Sequence, residues 1–281
     1  MREETADVIV AGGGGAGLRA AIAAKESAPE LRVVLCVKGV LGRAGVTATA
    51  CSDRMAFQAT LPYTEPGGED NWKYHADDVY RIGGKVSDGR LAAVQARRAG
   101  EAFEYLDRLG VPFARTADGR ADQFVTDGSK YARACYVGPT TAVEIEKALV
   151  PRAREVGVEV WEHAALVHVI KGNDGECAGP VVIRNAGEGD ESKGFDRYDD
   201  SPVRVAASAV VLATGGPGRV FGTSVFPEGM TAEAIAAALE AGAELVNLEF
   251  IQIGLCNPAT RLACSGTMMR ALPRMVDESG A

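Results

Sequence analysis

The sequence predicts an α/β fold: a Rossmann-like nucleotide-binding domain with a parallel sheet and a small antiparallel β layer. Three observations predict it. Asp7 to Ala11 is an apolar strand that runs into the glycine turn Gly12-Gly-Gly14-Gly-Ala-Gly17 and then into an alanine-rich helix, Gly15 to about Ser27. A second strand, Arg32 to Val37, completes a parallel βαβ start, which needs both faces of its sheet covered. Far along the chain, Ala209-Val-Val-Leu-Ala-Thr214-Gly-Gly216 is a buried strand with a glycine turn of its own, returning the chain to the same sheet.

The first turn carries the chemistry. Gly12 permits the tight turn, Gly14 lets the backbone approach a pyrophosphate, and Gly17 allows close packing of helix on strand, with the anion at the helix N-terminus. A G-x-G-x-x-G alone is weak evidence. Here a strand precedes it and a helix-forming run follows, which is the context that nucleotide binding requires.

Between the two glycine turns the elements follow in order. A small-residue loop, Gly39 to Ser52, leads to a Pro/Gly-rich stretch at Pro62 to Gly68, and loops of this kind line sites. Two helices are predicted over Asn71 to Ile82 and Asp88 to Leu109. The second has Leu91, Val94, Ala99, Ala102, Phe103 and Leu106 on one face and stops at Gly110. Thr141-x-x-Glu144 reads as a capping box for a further helix ending near Gly157. Short β-runs then follow at Val158–Trp161, Leu166–Ile170, Gly179–Arg184 and Pro202–Ala206, with Asn173-Asp174-Gly175 as a hairpin turn. Gly187 to Asp200 is polar and acidic, the composition of a solvated hairpin tip.

With 281 residues, 47% of them hydrophobic, the chain can bury a large core. A formal charge of -8 argues against a nucleic-acid surface and points to small-molecule or protein partners. No apolar run has the length of a transmembrane segment, and the glycine turn begins close to Met1, so a cytoplasmic location is expected. The six cysteines include no C-x-x-C pair, so no metal site is predicted and they read as reduced packing residues, with Cys256 and Cys264 a minor candidate for a redox pair. His75, His163 and His168 are scattered and read as packed or surface side chains.

Taken in order, the glycine turn, Val37-Lys38-Gly39, the loop Arg43-Ala-Gly45-Val-Thr47-Ala-Thr-Ala, the hairpin layer, Ala213-Thr-Gly-Gly216 and Ala241-Gly-Ala-Glu-Leu-Val-Asn-Leu-Glu249-Phe-Ile-Gln252 form one ordered set. The set resembles the flavoprotein subunits of the fumarate reductase, succinate dehydrogenase and L-aspartate oxidase superfamily. The resemblance implies an FAD cofactor and, by position, cofactor contacts from Gly12, Gly14, Gly15, Ala16, Gly17, Lys38, Arg43, Gly45, Thr47, Ala165, Ala213, Thr214 and Gly215. It divides the chain into an FAD-binding domain, 1–253, and the start of a truncated capping domain, 254–281. It also implies a small organic substrate and an electron-transfer protein partner.

Four departures refine that expectation. Val37 stands where a generic Rossmann strand ends in a ribose-binding acid, which disfavours NAD. Gly45 stands where covalently flavinylated members carry histidine, so FAD is expected to be non-covalent. The family's T-G-D-G is Thr231-Ala-Glu-Ala234 here, and Thr231 and Glu233 can meet the cofactor or simply cap a helix. The family's Q-F-H-P-T is Gln252-Ile-Gly254-Leu-Cys256, and glycine can neither bind a dicarboxylate nor move a proton, which argues against fumarate and succinate.

The expected function is therefore an FAD-dependent oxidoreductase, or its cofactor-binding half, exchanging hydride between flavin and an organic substrate. The alternatives are an NAD(P)-dependent oxidoreductase and a non-catalytic, flavin-holding electron-transfer or scaffold subunit. No catalytic acid can be assigned; Arg115, Arg133 and Arg270 are candidates only as cations near a pocket.

Overall fold

In the computed structural model the first strand is twice the predicted length: β1 spans Arg2–Ala11. Its polar half, Arg2 to Ala6, has no hydrophobic run to announce it and is held by parallel pairing, Arg2↔Val203 through Ala6↔Ala207. The structure describes every residue except 53–54, 185–201, 251–253, 258, 260–261, 264–271, 273, 278 and 281. The expected hairpin tip at Gly187 to Asp200, together with Gln252, Cys264 and Arg270, lies outside the described residues. The chain forms two units, Met1–Ala50 with Ile145–Leu248, and Cys51–Glu144 with Glu249–Ala281.

The first unit is built on a six-stranded sheet. After β1 come α1 (Gly15–Ser27) and β2 (Val33–Cys36), then the short α2 (Val46–Thr49) inside the loop. After the second unit come β6 (Glu159–Trp161), β7 (Ala164–Lys171), β8 (Cys177–Arg184), β9 (Pro202–Leu212) and α6 (Glu233–Glu240). The strand order is β6-β2-β1-β9-β8-β7. β6, β2, β1 and β9 run parallel; β8 and β7 continue the sheet as antiparallel strands.

Two predictions are corrected here. Val158–Trp161 is not part of the antiparallel layer: β6 is the parallel edge strand beside β2. Pro202–Ala206 and Ala209–Leu212 are one strand, because β9 pairs with β1 along its length, past the weakly hydrophobic Ala207-Ser208. The turn at Asn173-Asp174-Gly175 forms as expected, with Gly175 at φ +84° and its amide donating to the Gly172 carbonyl at 3.0 Å.

The sheet's centre is its driest part. Ile9, Val10 and Ala11 on β1 are all buried, so β1 is covered on both faces. Leu18, Ala21 and Ile22 make the buried stripe of α1, and Ala237 brings α6 against Ala11, Leu166 and Val169.

The second unit contains α3 (Trp72–Ile82), α4 (Gly89–Arg108) and a three-stranded antiparallel sheet, β3 (Phe57–Gln58), β5 (Ala134–Cys135) and β4 (Gln123–Phe124), in that order. It also holds the short pair β10 (Cys256–Asn257) and β11 (Leu262–Ala263). Asp88 caps α4, accepting from the amides of Arg90 at 2.7 Å and Leu91 at 3.1 Å. Gly110, at φ +88°, follows its end.

The buried face of α4 differs from the predicted one. Ala92, Ala96, Ala99, Phe103 and Leu106 are buried, whereas Leu91 and Val94 are 67% and 58% exposed. The helix α5 spans Thr141–Glu155, with Glu144 in its first turn. Its first helical bond runs from the Glu144 amide to the Thr140 carbonyl, and the Thr141 hydroxyl turns back to the Gly138 carbonyl at 2.7 Å.

Candidate functional site

A cavity of about 590 Å³ opens in the first unit at the carboxyl ends of β1, β2 and β9. That is where open parallel sheets place ligands, since each strand there hands over to a loop. Gly12 to Ala16 follow β1, Val37 to Gly39 follow β2, and Ala213 to Gly216 follow β9. Arg43 to Thr47, Ala164 to Leu166 and Phe226 to Glu233 complete the wall.

The glycines have separable jobs. A Cβ on Gly12 would lie 2.2 Å from the Ala213 carbonyl oxygen, and one on Gly17 would lie 1.8 Å from the Gly12 carbonyl oxygen. These two let β1, α1 and the turn after β9 close on one another. Gly14 is different: its φ of -75° suits any residue, and an added Cβ would meet only the Thr47 side chain, at 3.2 Å. Its smallness serves the cavity rather than the backbone.

The N-terminus of α1 faces this cradle. The Leu18 amide is the first bonded within the turn, to the Gly14 carbonyl at 2.9 Å. The amides of Gly15, Ala16 and Gly17 therefore have no acceptor in their own helix. The Thr47 hydroxyl accepts from the Gly15 amide at 3.1 Å, which marks the position as one that seeks an oxygen.

On the other side lies a charged cluster. The Lys38 ammonium donates to the Thr231 hydroxyl at 2.6 Å and to the Glu233 carboxylate, and the Thr231 hydroxyl donates to the same carboxylate. Burial pushes the Glu233 carboxyl up, but the bonds from Lys38, Thr231 and its own amide outweigh burial and hold it below the ordinary range. An ionised acid thus stands beside the end of β2 although Val37 supplies none. It arrives from α6, a position far away in sequence.

Of the sequence-predicted residues, Gly12, Gly14, Gly15, Ala16, Lys38, Arg43, Gly45, Thr47, Ala165, Ala213, Thr214, Gly215 and Glu233 line this one cavity. Gly17 lies behind it, packed on Gly12. Sequence reasoning missed Gly13, whose Cβ would strike the Val37 side chain at 2.7 Å, and the wall from Phe226 to Met230. That wall is irregular chain without periodicity, so no sequence signal marks it; a Cβ added at Gly215 would lie 3.2 Å from the Met230 methyl, which shows how closely it seals.

Neither described candidate cation lines the cavity. Arg115 pairs with Asp107, and Arg133 is buried on Asp78 at 2.6 Å. Asp78 also accepts from Arg81 at 2.7 Å and from the Lys130 amide at 2.9 Å, so Arg133 belongs to a structural network. Beside it His75 is buried against the Thr60 hydroxyl at 3.2 Å, and burial, with Arg133 nearby, pushes its pKa down to about 4. Burial raises Cys36 to about 12 and Cys135 to about 11, so both are protonated packing thiols.

Residues 7–267 match the family model described as an FAD binding domain. The chain belongs to this FAD-binding family, and FAD is its cofactor. It is 32% identical over 248 residues to an L-aspartate oxidase of Streptomyces coelicolor, covering 88% of this chain and 39% of that protein. It is 31% identical over 255 residues to the 8-methylmenaquinol:fumarate reductase flavoprotein subunit of Wolinella succinogenes, covering 89% and 38%. The Mycobacterium smegmatis Sdh1 complex contains a chain of the same fold, with TM-score 0.75 and 30% identity, covering 90% of this chain and 41% of that one. The chain spans about two fifths of the length of the curated relatives it matches. Among the described residues, no helix is long and apolar enough to cross a membrane.

The cavity suits FAD by its own chemistry. Backbone amides at a helix N-terminus match a pyrophosphate, and the Glu233 carboxylate can accept from hydroxyl groups of a ribose. Small walls at Gly12 to Ala16 and Ala213 to Gly215 leave room for flat rings.

Proposed function

We propose that this chain is the cofactor-binding part of an FAD-dependent oxidoreductase that exchanges hydride with an organic substrate and passes electrons to or from a partner protein. The observation that carries the proposal is the single cavity in which the amide cradle of Gly12 to Ala16 and the Lys38–Thr231–Glu233 cluster face the same space. Bound FAD supplies the redox chemistry, accepting or giving a hydride at its flavin. The residues supply position. Gly14, Gly15 and Ala16 present the helix end to the pyrophosphate; Lys38 fixes Glu233 as an ionised acceptor; Ala213 to Gly215 approach from the β9 side.

Gly45, at φ +91°, offers no side chain for a covalent link, so the flavin is held non-covalently. Within this proposal residues 1–253 form the FAD-binding domain and 254–281 begin a capping domain. The family's dicarboxylate-binding histidine is replaced by Gly254, which argues against fumarate and succinate as substrates in this reading.

Thermal unfolding with FAD and with NAD separates the readings, because a ligand stabilises the state it binds. FAD is expected to raise Tm and NAD to leave it unchanged. Acid precipitation of the loaded protein is expected to release all flavin into the supernatant, and reduced dye with fumarate to give no turnover. A Tm rise with NAD alone would turn the proposal into a pyridine-nucleotide enzyme. Flavin that is reduced by a partner protein and by no small substrate would make the chain an electron-transfer subunit.

A further inference from the structure

Glu146 lies on the buried face of α5 with Leu149 and Ala153, and is 2% exposed. Both of its carboxylate oxygens are buried without a hydrogen-bond partner. A carboxyl in such a place is costly unless it is neutral or something answers it. Among the described groups, the backbone amide of Gly42 acts on it, favouring its charged form against burial, without making a hydrogen bond of normal geometry.

Gly42 is the bend of the loop that lines the cavity. Its φ is +82°, that of Gly45 is +91°, and Arg43 to Thr47 between and beyond them form cavity wall. Thr47 ties the loop to α1 by accepting from the Gly15 amide at 3.1 Å. The Leu41 amide donates to Glu162 at 2.9 Å, the His163 amide donates to the Gly39 carbonyl at 3.1 Å, and the Arg43 and Ala44 amides turn back to Val40. Behind the bend stand Glu146 and Val150, the latter 3.7 Å from where a Gly42 Cβ would be.

We propose that Glu146 is a positioning residue for the cofactor loop: neutral, it packs behind Gly42 and holds the loop against the cavity, and its ionisation loosens the loop, so FAD is retained less well as pH rises. The inference rests on the reading of this cavity as the FAD site. Burial supports it by pushing the Glu146 pKa up to about 7, only partly opposed by the Gly42 amide. The charged and titratable groups around the loop are Glu162, His163 and Arg43, and those beside Glu146 on α5 are Glu144 and Lys147.

The sign follows from linkage. A carboxyl whose folded pKa lies above its unfolded value binds its proton more tightly when folded, so the native loop is favoured at low pH and loses that advantage as pH rises through about 7. The ionised Glu233 in the cavity does not provide such a step: it is held below the ordinary carboxylate range.

The test is the affinity for FAD at about pH 6 and about pH 8.5, in the wild-type chain, Glu146→Gln and Glu146→Leu, alongside amide exchange of residues 39–47 without FAD. The wild-type dissociation constant is expected to rise roughly tenfold across that range, and both variants to stay flat near the wild-type low-pH value. Exchange in the loop is expected to accelerate with pH beyond the intrinsic base catalysis in the wild type and not in the variants. His163→Gln, which removes the imidazole beside the loop, is expected to keep the wild-type slope. A flat wild-type profile, or a slope that survives in both Glu146 variants, would overturn the inference. No FAD binding by any protein at about pH 6 would instead overturn the cavity's reading, and loop exchange without FAD then decides the role of Glu146 alone.

Discussion

At the scale of single residues, the site is a division of labour among small side chains and one displaced acid. Gly12 and Gly17 are fixed by backbone atoms that a Cβ would strike, whereas Gly14 is fixed by the space in front of it. Both kinds were legible as one motif, yet sequence alone could not assign them to fold or ligand. Glu233 was legible only through a family pattern, since its partner Lys38 is 195 positions away. Ala232 illustrates a residue-scale cost: it precedes α6 at φ +66°, a left-handed conformation that glycine adopts freely and alanine does not. Ala232→Gly is therefore expected to stabilise the chain by about 0.5–1 kcal/mol, read as a higher Tm in thermal unfolding. An unchanged or lower Tm would remove strain from the account of this turn.

At the scale of elements, the strongly periodic or punctuated segments were legible and the weakly patterned ones were not. The helix α1 was read with its observed bounds because a glycine turn begins it, and α4 to within one residue at each end because Asp88 and Gly110 mark its ends. The face of α4 was misread because two large apolar side chains, Leu91 and Val94, outweighed a seam of alanines. The seam Ala92, Ala96, Ala99, Phe103 and Leu106 is buried, with α3 packed on α4, and small residues let a helix approach closely. Phe103 touches Phe113 with ring centroids 4.7 Å apart. Chemical denaturation is expected to show a loss of about 3–5 kcal/mol for Phe103→Ala and a change within about 0.5 kcal/mol for Leu91→Lys. Comparable losses in the two variants would place Leu91 in the core after all. Likewise β9 was read as two strands because Ala207-Ser208 lacks hydrophobic contrast, and only its long pairing with β1 joins them.

At the scale of the whole molecule, the parallel strands and the cavity are one feature. β1 is central, β2 and β9 flank it, and all three end at the same edge, so the loops that follow them converge. The βαβ start and the late glycine turn made that convergence legible, because both are strand ends followed by glycines. The wall from Phe226 to Met230 was not legible, being irregular chain set in place by contacts such as the Arg219 amide on the Met230 carbonyl at 2.9 Å. Nor was the buried Glu146, whose significance depends on what surrounds it. The most direct test of the central claim is the visible absorption spectrum of the purified chain after loading with FAD and desalting, compared with Gly14→Val. Since φ at Gly14 suits valine while its side chain would enter the cradle, the variant is expected to fold and to come off the column colourless, with the wild type retaining flavin. Equal flavin in both proteins would contradict the assignment of this cavity to FAD.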